Sequence, residues 1–275
     1  MNVLWGFLIT AGATAVAVSV MLLVRRRAPE GSYFADGDRA SGVFGVLATG
    51  FSVLLGFIIF LTFTSYDQSR TGAEAEALAV AQQVETAQFF PADVGADLTG
   101  ELVCYARFVV NDEWERMEAG TLGDALNPWG VSLFRTLEDV EPSSASEQSA
   151  YDKWLEETST REQARQDRIH GAVGVIPTPL WIVLFFISIV IFVYMLFFAD
   201  SGERALTQAV LMGSVTAVIV LMLLLLNFLD NPFHSDVGGL RPVAMERTLR
   251  IVDESLEAVG ADVLIPCDPE GHPAG

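Results

Sequence analysis

The chain has 275 residues, 51% of them hydrophobic and only 19% charged, with a mean hydropathy of +0.40. That balance is too apolar for an ordinary water-soluble domain. Acidic residues outnumber basic ones 35 to 16, and a net charge of −19 repels nucleic-acid phosphates, which excludes nucleic acid as a partner. Two cysteines are too few for a disulfide-dense framework or a multi-cysteine metal cluster.

The first apolar run, Val3 to Val24, is followed at once by Arg25, Arg26 and Arg27. Its charges lie after the apolar stretch and no small-residue cleavage site is present, so it reads as a retained helix and not a cleaved signal peptide. The second run, Val43 to Phe63, is again near the roughly 20 residues that cross a bilayer. Residues 66–90 carry one glycine, Gly72, and are rich in Ala, Glu and Gln up to Pro91. The second span is therefore expected to run on as one long helix. Between Leu98 and Met117 the apolar positions recur three and four apart, which predicts an amphipathic helix. Leu133, Phe134, Leu137 and Val140 mark a short helix, and Tyr151 to Ile169 a charged one, with the polar loop EPSSASEQS between them. Two further spans follow, about 180–199 and 206–229, joined by Asp200 to Ala205. In the tail, Met245, Leu249, Val252, Leu256 and Val259 line one face of a helix over about 243–259. Nothing alternates with period two, so the expected fold is all-α: a polytopic membrane protein with four transmembrane helices and a helical extracytoplasmic domain. The expected divisions are a first transmembrane hairpin (1–64), an acidic domain (65–179), a second hairpin (180–229) and a tail (230–275).

Orientation follows from arginine, which is retained on the cytoplasmic side during insertion. The cluster at residues 25–27 places the N-terminus, the large loop and the C-terminus outside. The inner segments hold five acids (Glu30, Asp36, Asp38, Asp200, Glu203) against five arginines (25, 26, 27, 39, 204), so the outer segments carry the whole −19. Cys104 and Cys267 both fall outside. Two readings stay open: a disulfide tying the tail to the loop domain, or two unpaired thiols with Cys104 a small buried hydrophobe.

Enzyme signatures are absent. His170, His234 and His272 are scattered, with no HExxH, no P-loop, no dinucleotide fingerprint and no nucleophile elbow. No cofactor, metal or catalytic residue is expected. Acid pairs such as Glu74 with Glu76, or Asp112 with Glu113, read as the solvated face of an acidic helix. In the second span Ala48, Ser52 and Gly56 recur every four residues, a small ridge that lets helices approach. Beside it run Thr49, Val53 and Phe57, which in a ring of identical helices form an apolar constriction. Asp67 follows the second span and Asp230 ends the fourth. Each reads singly as helix-end solvation beside Arg70 or Arg241; repeated round an oligomer they form an anionic ring that concentrates cations at an outer mouth.

The stretches GFIIFLTFTSYDQSR, Cys104-Tyr105 with VVNDEWERMEAG, and LDNPFHSDVGGLRP together resemble the bacterial bestrophin-like domain family. The resemblance implies kinship to bestrophins: oligomeric, pentameric ion channels of the cell membrane, with four spans per subunit and a pore neck along the second span. Bestrophins carry an apolar neck triad, spaced by four, that ends in the Phe of a Gly-Phe pair. Here that pair is Gly56-Phe57, so the implied neck is Thr49, Val53 and Phe57, with Thr49 departing from an all-apolar pattern. Topology departs too, because bestrophins keep the N-terminus and bulk domain in the cytosol. The leading expectation is a cation-preferring, homo-oligomeric channel whose partners are copies of itself, membrane lipid and inorganic ions. The alternative is a non-conducting membrane scaffold or sensor whose acidic ectodomain binds a partner or divalent cations.

Overall fold

A computed structural model describes residues 3–121, 126–259 and 263–274. Its helices in chain order are α1 (Val3–Arg25), α2 (Gly37–Ala87), α3 (Ala92–Phe108), α4 (Trp114–Glu118), α5 (Pro128–Glu138), α6 (Ala145–Ile169), α7 (Thr178–Phe197), α8 (Ala205–Asp230) and α9 (Val243–Val259), with a π-helical turn, Val109–Glu113, joining α3 to α4. Among the described residues the only β pairing is an isolated bridge between Cys267 and Pro273, so the all-α expectation is met. The chain forms two compact units, one of Met1–Thr64 with Gly174–Asn231, the other of Ser65–Val173 with Pro232–Gly275. α2 contributes its first turns to one and its last turns to the other.

The first unit holds apolar helix surface long enough to cross a membrane four times, and the protein is a multi-pass membrane protein. α2 begins at Gly37, six residues ahead of the apolar run, because Asp36 caps it: the Arg39 N–H donates to Asp36 Oδ1 at 3.0 Å. Phe51, Leu55 and Ile58 of α2 pack with Leu184 and Ile191 of α7 and Leu226 of α8. α1 lies against α8, where Gly213 permits the approach; a Cβ there would meet Thr14 and Val18 methyls at 3.3 and 3.4 Å. Ala17, Met21 and Met212 fill that contact. At the α7–α8 turn, Asp200 Oδ1 accepts the Gly202 and Gly31 N–H groups at 2.7 and 3.0 Å, and Arg25 donates to the carbonyls of Ser201 and Glu203. Only 11–17% of the most apolar stretch of each span is buried within the chain. The rest is left for lipid or for other copies.

In the second unit the core joins Ala77 and Val80 of α2, Leu98, Leu102 and Tyr105 of α3, Trp114 and Met117 of α4, Leu133 and Leu137 of α5, Trp154 of α6 and Met245 of α9. The side chain of Val259, expected on the α9 stripe, lies outside the described residues. α6 starts at Ala145, well before Tyr151. Ser144 Oγ accepts the Glu147 N–H at 3.1 Å, and the Glu147 carboxylate accepts the Ser143 N–H at 2.7 Å, a reciprocal cap hidden inside the polar EPSSASEQS stretch. α5 is capped by Asn127, whose Oδ1 accepts the Trp129 N–H at 3.1 Å, with Pro128 as its first residue. Gly72 has a packing reason: a Cβ there would run into the backbone of α6 at Ala164, Asp167 and Arg168.

The tail residues 263–274 form a strap on α3. A Cβ on Gly100 would collide with the Leu264 carbonyl, and one on Gly271, whose φ is +91°, with the Phe108 backbone. Between these two contacts Cys104 and Cys267 are joined in a disulfide, and Trp129 Nε1 donates to the Gly271 carbonyl at 2.6 Å. The bond closes a sequence separation of 163 residues, and bonds of this kind contribute about 2–4 kcal/mol. The Cys104→Ala, Cys267→Ala double variant should therefore melt several degrees below the native chain. Alkylation without reductant should leave the native mass unchanged; two added alkyl groups would show that the bond is absent.

Candidate functional site

On α2 the three residues Thr49, Val53 and Phe57 stand on one face and are exposed, Val53 by 68% and Phe57 by 60%. Exposed Val46 and Phe60 extend the same face. It turns away from Phe51, Leu55 and Ile58, which carry the contact with α7 and α8. The small ridge has a different setting: Ala48, Ser52 and Gly56 line an apolar groove of about 470 Å³ together with Val215, Val218 and Met222 of α8. The face with Phe57 is thus unpartnered in the subunit, although all its side chains but that of Thr49 are as apolar as those of the core.

The two acids expected at a mouth differ sharply. Asp67 is exposed on α2, and Arg70 pairs with Glu74 at 3.3 Å, leaving it. Asp230 is only 8% exposed. Its Oδ1 accepts the Val175 and Ile176 N–H groups at 2.7 and 2.9 Å, in a turn that Gly174 makes with φ +72°. Asp230 is a staple that fixes the entry to α7, which corrects the expectation of an open carboxylate there. Arg241, its expected partner, donates instead to the Ser235 carbonyl at 3.1 Å.

Parts of all three motif segments singled out in the sequence lie in the second unit. The Tyr66 hydroxyl donates to the Gly238 carbonyl at 2.8 Å, and Trp114 Nε1 to that of Leu240 at 3.3 Å. Trp114 also meets Phe233 edge-on, with ring centroids 5.4 Å apart. The loop after the last span is thereby fastened both to α2 and to α4. Among the described residues no group of three or more His, Cys, Asp or Glu is arranged to hold a metal ion.

Sequence reasoning missed a buried ion network. Arg168 is 0% and Glu113 1% exposed. The Arg168 guanidinium donates to both oxygens of Glu76 and to Glu113, while Arg165 donates twice to Glu113 Oε1, at 2.8 and 3.2 Å. The Tyr105 hydroxyl donates to Glu76 Oε1 at 2.6 Å. Arg161 lies over the Tyr105 ring at 4.8 Å and donates to Gln83 at 2.8 Å. Glu76 and Glu113 are therefore not the solvated acids their sequence setting implied. The π turn ends at Glu113, one of the few irregular points in the unit. A readable signal existed: Arg161, Arg165 and Arg168 recur at four and three, on one face of α6. Burial pushes the Glu113 carboxyl up, but Arg168 and Arg165 outweigh it and hold it below the usual carboxylate range.

Comparison with known proteins places these features. The family model described as Bestrophin-like domain matches residues 11–238. No curated protein matches the sequence. Among solved structures, one variant of a bacterial bestrophin homologue from Klebsiella pneumoniae superposes with a TM-score of 0.67 at 12% identity, over 92% of this chain and 99% of that one. A second variant gives 0.65 at 11% identity, over 94% and 99%. At such identity the likeness concerns the fold.

Two consequences of the ion network are measurable. Arg168→Met leaves Glu76 without its guanidinium and Glu113 with one partner fewer, and should cost about 3–5 kcal/mol, read as a fall in Tm. Because the folded Glu113 is depressed, its stabilisation is complete above the ordinary Glu range and is lost as pH falls through the folded value. Glu113→Gln should lower Tm near neutrality and flatten its decline towards pH 3; an unchanged acid limb would mean that Glu113 does not set it.

Proposed function

We propose, starting from the fact that this chain belongs to the Bestrophin-like domain family, that it forms a homo-oligomeric ion channel with α2 along the pore and Thr49, Val53 and Phe57 at its neck. The observation that carries this reading is the outward face of α2. A phenylalanine and two valines exposed by 60% or more stand in line with Thr49 on a helix that also has a packed face, a line open to lipid or to other copies. A ring of copies, five in the arrangement the family implies, gives them an axis to face, and an apolar constriction of that kind gates by dewetting. Their exposure in the single chain argues against a scaffold with these residues sealed inside one four-helix bundle.

Cation preference is the second part of the proposal. Asp67 is exposed and unclaimed by Arg70, and the net charge of −19 raises cation concentration at a mouth. Asp230, held by backbone N–H groups, supports the entry to α7. The third part is orientation: N-terminus, large loop and tail lie outside the cell membrane, in the reading given by Arg25, Arg26 and Arg27. The Cys104–Cys267 bond supports it, since such bonds persist in oxidising compartments. In this reading 65–179 and 230–275 are extracytoplasmic, the spans about 3–24, 43–63, 180–199 and 206–229 sit in lipid, and no enzymatic step is involved.

Ion flux from the purified protein in liposomes, under Na⁺, K⁺ and Cl⁻ gradients, tests the proposal. Phe57→Ala should raise flux severalfold while costing less stability than the ~3–5 kcal/mol of a core phenylalanine. Asp67→Asn should lower the cation-to-anion permeability ratio. A folded, monodisperse protein without flux would overturn the channel reading and favour the non-conducting scaffold or sensor.

A further inference from the structure

Where α6 packs on the last turns of α2, one acid lacks the treatment given to Glu76 and Glu113. Glu157 is only 4% exposed. Its Oε2 is enclosed with no hydrogen-bond partner, and Thr86 of α2 lies beside it. The charged groups facing it are Glu85 from α2, and Glu156 and Lys153 from α6. The Lys153 ammonium is engaged by Glu156 at 3.0 Å. Arg161, one turn further on, gives Nη1 to Gln83 and Nη2 to Glu162 at 2.8 and 3.1 Å, and its enclosed Nε makes no hydrogen bond, to Glu157 or to any other group. A buried carboxylate beside two further acids, with no arginine of its own, is costly as an anion and inexpensive as a neutral acid.

We propose that Glu157 is a proton-operated clamp, which takes up a proton on acidification and fastens α6 to α2 in its neutral form. Once protonated it sheds its repulsion from Glu85 of α2 and from Glu156. Burial first, helped by those two acids and opposed by Thr86 and Lys153, pushes its carboxyl above the usual range. A group raised in the folded chain contributes stability that is complete below the ordinary Glu range and lost as pH rises through the folded value. Its sign is thus opposite to that of Glu113. The clamp needs no conduction, so its fate and that of the channel reading are decided separately.

The test is the Tm of the full-length protein in detergent, followed by tryptophan fluorescence from pH 8 to pH 5, for the native chain, Glu157→Gln and Glu85→Gln. Glutamine imitates the neutral acid, so Glu157→Gln should melt at or above the native chain at pH 8. The native chain should overtake or match it on acidification, by about 3–5 °C for each tenfold difference in proton affinity between folded and unfolded chain. Glu85→Gln, at an exposed position, should keep the acid-dependent rise but move its midpoint to lower pH. A Glu157→Gln protein that melts below native by the same margin at every pH would show a structural role and overturn the clamp. So would a Glu85→Gln midpoint identical to native.

Discussion

Of the six charged side chains described in the second unit that are removed almost entirely from water, Glu76, Glu113, Arg161, Arg165 and Arg168 belong to one network, and that constrains much of what surrounds them. A guanidinium at the depth of Arg168 is tolerable only if its donors are met, and Glu76 of α2 and Glu113 of the π turn meet them from two directions. Each partner then needs its own backbone held in place. Gly72 lets α6 approach α2 closely, and the cation–π contacts of Arg161 with Tyr105 and of Arg168 with Trp114 complete the surroundings. Such a network adds less net stability than an apolar core of the same volume would. Its effect is to make one register of α2 against α6 far better than its neighbours, since a slip by one turn strands several charges at once.

α2 is treated differently along its 51 residues. Towards its C-terminal end it is pinned by ions, by Tyr66 and by a glycine contact. In the first unit it has a single packed face, and the remainder, Val46 to Phe60, is left apolar and uncovered. Exposed apolar side chains need no explanation in lipid, where they cost nothing. The aligned Thr49, Val53 and Phe57 share one line along that uncovered stretch, which is what the proposed neck draws on.

The parts legible in the sequence were those written locally. Span hydropathy, the run of α2 past its apolar segment and the stripe of α9 all depend on neighbours within a few residues. Asp36 and the Ser144–Glu147 cap were just as local but sat inside polar stretches that read as loop. The ion network was not local: Glu76 and Glu113 find Arg168 across 92 and 55 residues, so each acid looked like its solvated neighbours Glu74 and Asp112. Asp230 misled for a similar reason. A carboxylate at the end of a span suggests solvent, and only the turn at Gly174 brings two N–H groups to it.

The strap on α3 has a consequence for biosynthesis. The second unit is assembled from two stretches of chain, and the residues between them, 174–231, include α7 and α8. The ribosome must therefore finish both late spans, and the membrane must accept them, before residues 263–274 can reach Gly100, Cys104 and Phe108. Until then α3 presents a bare groove with a free thiol at its centre, the kind of half-built surface on which wrong pairings begin. A chain that stopped before residue 263 would carry that unfinished face permanently.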